Sequence, residues 1–275
     1  MKIYFKILLT VFAIIIVFLG ASVGIGLGAK RINSNLTLSG LFNTEYRLTA
    51  HRGFSSVAPE NTAPALAEAG KAGFYAAEFD IIPTADGVWV LIHDDTVDRT
   101  MDGEGEVEKL TLAQLREMKI DGGKGIENYP DLKISTLEEA IDICIEYSMR
   151  PMIEVKGGTP EDMQSVLDII NSKGIKDTAI VIDFDKDRLS ALRALDDEIE
   201  LLHLTNKITD ETMEFVKKSN ASIGFNFGIP QNYFYINDAK REGITLASWT
   251  VDIPFVVDVL NAAGVDYITT NKIMP

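Results

Sequence analysis

The chain has 275 residues, a formal net charge of −15 and a single cysteine. So large an excess of acid repels nucleic acid and anionic membrane surfaces unless a local patch reverses the field, and no Lys/Arg-rich run supplies one. One cysteine excludes an intrachain disulfide, and the length suits a single α/β barrel with a short extension.

The first segment carries Lys2 and Lys6, then runs from Ile7 to Ala29 apolar or small throughout, interrupted only by Thr10 and Ser22. A helix of about 20 apolar residues spans a bilayer, whereas a secretory core is usually about 7–15. Residues 1–30 are therefore expected to be an N-terminal transmembrane helix, an uncleaved anchor, with a removed signal segment as the alternative. Lys2, Lys6 and the α-amine on one side face Lys30 and Arg31 on the other, a balance that favours N-in. The body would then sit on the extracytoplasmic side of the cell membrane. Residues 31–45, rich in Asn, Ser, Thr and Gly, read as a tether.

From Tyr46 onward, short apolar runs alternate with helical patterns. Strands are predicted at Arg47–Ala50, Ala76–Ile82, Pro151–Val155, Ala179–Ile182, Glu200–Leu204, Ser222–Phe225, Thr245–Trp249 and Asp266–Thr269. Helices are predicted at Asn61–Ala72, Thr136–Tyr147, Pro160–Ser172, Asp187–Leu195, Asp210–Ser219, Tyr233–Glu242 and Pro254–Ala263. Thr136 before Glu138-Glu139, and Thr159-Pro160-Glu161-Asp162, are helix starts with a cap and early acids. Alternation of this kind predicts a (β/α)8 TIM barrel over residues 46–275. An open doubly wound sheet is the alternative, disfavoured because no Gly-rich phosphate loop follows an early strand. The connection between His93 and Asp131 reads as a small insertion after the second strand, with one helix at Leu112–Lys119.

Within this pattern the stretch from His51 to His93 holds unusual side chains. Glu78 and Asp80 lie two apart on a predicted strand, so both face one side. Asp86-Gly87 between apolar runs is a hairpin signal; with those two as the turn, Ala85 pairs with Val88 and His93 falls opposite Asp80. Active sites of such barrels lie at the carboxyl ends of the strands. His51-Arg52-Gly53 ends the first strand, His93-Asp94 the hairpin's return, Glu154-Val155-Lys156 the third strand and Trp249 the seventh.

Glu78, Asp80 and Glu154 are three carboxylates on otherwise apolar strands, which is costly unless they are paired or metal-bound. Lys156 and Arg52 could pair with them, but three acids against two bases leave a charge unmatched. The arrangement favours an oxygen-ligand site for one divalent cation, Ca²⁺ or Mg²⁺. Zinc is disfavoured, since no His pair or Cys cluster has ligand spacing. His51 and His93 beside such a site suit general acid and base catalysis near neutral pH, and Arg52 offers a fork for a phosphate oxygen. His203 and Cys144 are expected to be structural. Trp249 is either a core aromatic or the apolar wall of a small-substrate pocket. Together these residues suggest metal-assisted hydrolysis at an anionic centre.

His51-Arg52-Gly53, Pro59-Glu60-Asn61-Thr62, Glu78-x-Asp80, Thr84-x-Asp86-Gly87, His93-Asp94, Arg99-Thr100, Ile153-Glu154-Val155-Lys156 and Trp249-Thr250-Val251 resemble, in order and spacing, the glycerophosphodiester phosphodiesterase family. The resemblance covers essentially the whole body from Tyr46. It implies a phospholipase-C-like phosphodiesterase barrel that hydrolyses glycerophosphodiesters to glycerol 3-phosphate and an alcohol through a cyclic phosphate. It further implies that Glu78, Asp80 and Glu154 hold the cation, that His51 and His93 act as acid and base, and that Arg52 and Lys156 contact phosphate. Two departures stand out: Ser135 where Pro is frequent, and Thr270-Asn271-Lys272 in place of a more usual Thr-Asp stretch. Neither is expected to touch the metal or the histidines. A lysophospholipid or phosphoinositide phosphodiesterase on the same barrel, and an inactive membrane-tethered binding module, are the competing functions. No pattern in the chain specifies an oligomeric state.

Overall fold

The computed structural model describes residues 46–275. The predicted membrane anchor and tether, residues 1–45, lie outside the described residues. Among the described residues no helix is long and apolar enough to cross a membrane.

Eight parallel strands close into a barrel: β1 (Leu48–Ala50), β2 (Ala76–Pro83), β4 (Arg150–Val155), β5 (Ile180–Asp183), β6 (Glu200–Thr205), β7 (Ser222–Asn226), β8 (Leu246–Trp249) and β9 (Tyr267–Thr270). Each pairs with the next, and β9 and β2 both pair with β1, so the ring has no free edge. A ninth strand, β3 (Trp89–Leu91), runs antiparallel on the upper part of β2. Around the ring lie α1 (Ala63–Ala72), α3 (Leu137–Glu146), α4 (Met163–Ser172), α5 (Lys186–Leu195), α6 (Asp210–Lys218), α7 (Ile236–Arg241) and α8 (Pro254–Ala263). The predicted barrel is therefore the observed one.

Local chemistry sets the helix ends. Thr62 caps α1 by accepting from the Ala65 N–H, with Pro64 in the first turn, so α1 begins two residues later than predicted. Thr136, predicted as a cap, forms a reciprocal capping box with Glu139 at the start of α3. The predicted helix over 233–242 is shorter, because Pro230–Phe234 folds as a 3₁₀ segment before α7.

Side-chain alternation sorts each strand into an inner and an outer face. On β2, Ala77, Phe79 and Ile81 point outward and join Leu66, Leu137 and Ile141 in the core beneath the helices, all fully buried. Each of the Phe, Ile and Leu side chains removed from water contributes roughly 1.5–3 kcal/mol. Inside the ring, Met152, Ile180, Ile182, Leu202, Leu204, Ala247 and Tyr267 form a separate apolar layer. It supports the carboxylates of the upper rim. The insertion, with α2 (Leu112–Glu117), closes over its own small core of Ile82, Val90, Ile92, Val97, Met101 and Leu115.

The hairpin register differs from expectation by one residue. Pairing stops at Thr84 and Val88, and Ala85-Asp86-Gly87 form a three-residue loop with Gly87 at φ +79°. Thr84 is the cause: its Oγ1 donates to Asp86 Oδ1 at 2.7 Å and accepts from the Val88 N–H at 3.0 Å, occupying the groups a tighter turn would need. Ile81 consequently faces Leu91, and Ile92, not His93, donates its N–H to the Asp80 carbonyl. His93 is one residue beyond the paired segment, where the chain turns it toward the barrel mouth.

Candidate active site

The end of β1 is built by two left-handed residues, Arg52 at φ 56° and Gly53 at φ 73°. They turn the backbone so that the Arg52 N–H donates to Glu78 Oε2 at 2.7 Å and the Gly53 N–H to the Glu78 carbonyl at 3.0 Å. Gly53 is required sterically as well, because a Cβ there would sit 2.7 Å from the Ala65 backbone. The Arg52 guanidinium then reaches Glu60 Oε1 at 2.8 Å and lies 3.5 Å from Asp80 Oδ2. Its Nε makes no hydrogen bond.

Glu78 and Asp80 project inward from β2 and Glu154 from β4, their ligand atoms all within 4.8 Å of one another. Asn61 holds Asp80 from both directions, donating Nδ2 to Oδ2 at 2.8 Å and accepting the Asp80 N–H at 3.0 Å. Lys156 donates to Glu154 Oε1 at 3.0 Å and lies 4.0 Å from Asp80 Oδ1. Burial, reinforced by the Asp80 charge, pushes the Glu78 and Glu154 carboxyls up to about 8. Glu78 Oε1 is buried without any hydrogen-bond partner. An all-oxygen trio with an unpartnered buried carboxylate oxygen and too few cations fits a hard divalent ion.

The two imidazoles flank this trio. His51 Nε2 lies 4.0 Å from Glu78 Oε2, and burial, with the nearby Arg52 charge, holds the ring below its usual value. His93 Nδ1 is 2.6 Å from Asp94 Oδ1, and its Nε2 is 3.3 Å from Lys156 Nζ. Asp94 in turn binds Arg99, which keeps its carboxyl down at about 2. Arg99 and Arg52 both donate to the same oxygen, Glu60 Oε1, at 2.7 and 2.8 Å. One carboxylate therefore links the shells of both histidines.

His51, Arg52, Glu78, His93, Glu154, Lys156 and Trp249 all line one cavity of about 280 Å³. Asp80 is buried, does not itself line the cavity, and is held by the contacts given above. The opposite wall is apolar, formed by Met152, Ile182, Leu202, Leu204 and the edge-to-face pair Phe184 and Trp249, ring centres 5.6 Å apart. His203 stands apart from this cavity: it points outward and packs edge-on against Phe215 of α6, as a structural residue. Cys144 is fully buried, and burial raises its thiol to about 12.

The sequence profile of the Glycerophosphoryl diester phosphodiesterase family matches residues 51–274. The chain belongs to this family. A "Glycerophosphodiester phosphodiesterase" of Caldanaerobacter subterraneus is 30% identical over 228 residues, covering 81% of this chain and 92% of that protein. The human "Glycerophosphodiester phosphodiesterase 1" is 45% identical over 109 residues, but the match spans only 33% of its length and 39% of this chain. A solved Oleispira antarctica phosphodiesterase in complex with the product sn-glycerol-3-phosphate superposes with a TM-score of 0.77 at 26% identity, over 84% of this chain and 95% of that one. Family membership makes the rim residues of the barrel the relevant chemistry.

Several of the site's supporting residues carried no role in the sequence reading. Glu60, Asn61, Asp94 and Arg99 stood in the family-like motifs, yet nothing in their spacing showed that they bind Arg52, Asp80 and His93. Phe184 gave no signal at all. Asn271 corrects an expectation: its Oδ1 lies 2.8 Å from His51 Nδ1, so the Thr270-Asn271-Lys272 departure does touch a histidine. The reason is closure of the barrel, which lays the end of β9 beside the end of β1.

Proposed function

We propose that this member of the family hydrolyses glycerophosphodiesters to glycerol 3-phosphate and an alcohol at the upper rim of the barrel. The carrying observation is the trio Glu78, Asp80 and Glu154, buried, mutually within 4.8 Å and flanked by His51 and His93. These three carboxylates would hold a divalent cation, Ca²⁺ or Mg²⁺. When bound, the ion supplies Lewis-acid polarisation of the phosphoryl oxygen and of the attacking hydroxyl. Arg52 and Lys156, which both line the cavity, neutralise charge growing on the phosphoryl oxygens. One imidazole takes the proton of the glycerol hydroxyl next to the phosphate as that oxygen bonds to phosphorus. The other gives a proton to the departing alcohol, and the roles reverse when water opens the cyclic phosphate.

The apolar wall of the cavity supports a second substrate class. Phe184 is 42% exposed at the mouth, continuous with Trp249 within, and offers a surface for the carbon chain of a lysophospholipid. An intact constellation of histidines and carboxylates is what speaks against an inactive binding module. The apolar stretch at residues 7–29 supports attachment to a membrane, with the barrel on the extracytoplasmic side.

Product analysis on glycerophosphocholine and a lysophosphatidylcholine, with and without chelator, tests the reading. Glycerol 3-phosphate should appear from the first substrate, vanish with chelator and return with Ca²⁺ or Mg²⁺. Hydrolysis that is absent with every cation would end it.

A further inference from the structure

Asn271, which holds His51, is itself held in one orientation. Its Nδ2 donates to Asp252 Oδ2 at 2.8 Å, and its backbone N–H donates to Asp252 Oδ1 at 2.8 Å. Thr270 Oγ1 also donates to Asp252 Oδ1, at 3.0 Å, so the carboxylate is fixed from three directions. A carboxylate accepts and cannot donate, which obliges the amide to present its NH₂ to Asp252 and its oxygen to His51. Ser55 Oγ donates to that same Asn271 oxygen at 3.2 Å, in agreement with this orientation. An amide oxygen likewise only accepts. The hydrogen bond at 2.8 Å therefore places the proton of the neutral His51 ring on Nδ1. Nε2, the nitrogen on the carboxylate side of the cavity, is left bare.

We propose that Asp252 and Asn271 are a positioning pair that fixes the tautomer of His51 and so makes its Nε2 the atom that receives the substrate's hydroxyl proton. The proposal deepens the hydrolytic reading above and rests on it. In the first step the O–H bond of the glycerol hydroxyl breaks, its proton passes to Nε2, and the oxygen bonds to phosphorus as the bond to the alcohol breaks. The alcohol leaves with a proton from His93. In the second step water attacks phosphorus, giving its proton to His93, and Nε2 returns its proton to the ring oxygen that leaves. His51 ends in its starting state. The Asp252 carboxylate thus acts on the imidazole through the intervening neutral amide of Asn271.

The test reads the tautomer directly in metal-free full-length protein, solubilised in detergent, with ¹⁵N-labelled histidine. Long-range ¹H–¹⁵N spectra are recorded at a pH where the rings are neutral, with the three imidazoles assigned through His93→Gln and His203→Gln. We expect wild-type His51 to be protonated at Nδ1. Asp252→Asn, which frees the Asn271 amide to turn over, and Asn271→Ala should each admit the Nε2–H form. With Ca²⁺ and glycerophosphocholine, both should lower kcat by about 10–100-fold while KM stays within about threefold. The exchange Asp252→Asn with Asn271→Asp restores a carboxylate–amide pair in reverse order and should regain the Nδ1–H form and most of the lost kcat. A proton on Nε2 in the wild type overturns the proposal, as does an unchanged tautomer and kcat in both single variants. If neither variant folds, the wild-type tautomer decides alone. Failure of the hydrolytic reading is a separate outcome, an inactive wild type with every cation, and leaves the spectra to be judged by themselves.

Discussion

Asp80 on β2 and Glu154 on β4 are register partners in adjacent parallel strands, so the barrel wall itself places two inward carboxylates side by side. Glu78, one inward position lower on β2, completes the trio. Their proximity is unfavourable in the absence of a cation, and the native backbone register enforces it.

That enforced proximity gives a pH dependence of stability. Glu78 and Glu154 sit at about 8 in the fold, above the ordinary carboxylate value of 4.5. Between those values the folded state binds more protons than the unfolded state, so metal-free stability falls as pH rises through the window. A bound divalent ion removes the penalty by replacing the protons. Thermal melts in chelator should show a lower Tm at pH 8 than at pH 5.5. Saturating Ca²⁺, at about 100 times its Kd, adds about 2.7 kcal/mol, or roughly 5–10 °C for a domain of this size, and its effect should shrink at pH 5.5. A Ca²⁺ shift equal at both pH values would contradict this.

The histidines differ in their support, and their loss should show in turnover. His51→Ala or His93→Ala should reduce kcat by roughly two to four decades, the usual worth of positioned acid–base groups. Asp94→Ala leaves His93 without its 2.6 Å partner and should cost about 10–100-fold with little change in fold. Steady-state assays on well-folded variants decide; a loss below threefold at either histidine would remove it from the chemistry.

Gly53 bears on stability and on the site at once. Gly53→Ala forces a side chain into a left-handed φ and toward backbone 2.7 Å away. A destabilisation of about 2–4 kcal/mol is expected from strain and overpacking together. Because the same turn delivers the Arg52 N–H to Glu78, divalent-ion affinity should fall too, measured by calorimetric titration at a temperature where the variant is folded.

Phe184 and Trp249 should govern which alcohol leaves. Phe184→Ala removes an exposed apolar surface at the mouth, and should raise KM for a lysophospholipid several-fold while leaving glycerophosphocholine within about twofold. Equal effects on both substrates would make Phe184 a general packing residue.

Strand and helix periodicities, with caps such as Thr136 and Thr159, sufficed to read eight strands, their helices and hence the barrel, because these signals are local and repeat. The rim residues were legible for a related reason. His51, Glu78, Asp80, His93, Glu154 and Lys156 are polar or charged side chains at the upper ends of apolar strands, and the fold rule gathers such ends on one face. The expectation of a membrane anchor rests likewise on composition, in Ile7 to Ala29, which lie outside the described residues.

What only tertiary structure decided depends on distance along the chain. The register of β2 against β3 turned on one Thr84 hydroxyl, and a single-residue slip removed His93 from its predicted place opposite Asp80. Asn271 meets His51 across 220 residues, and Arg99 meets Arg52 on one oxygen of Glu60, through loops whose paths no periodicity encodes. Sequence pattern fixes which faces must be buried, since burial free energy depends on side-chain type at regular spacing. Hydrogen-bond partners of the rim are set by where separate loops come to rest, and that is determined only when the ring closes.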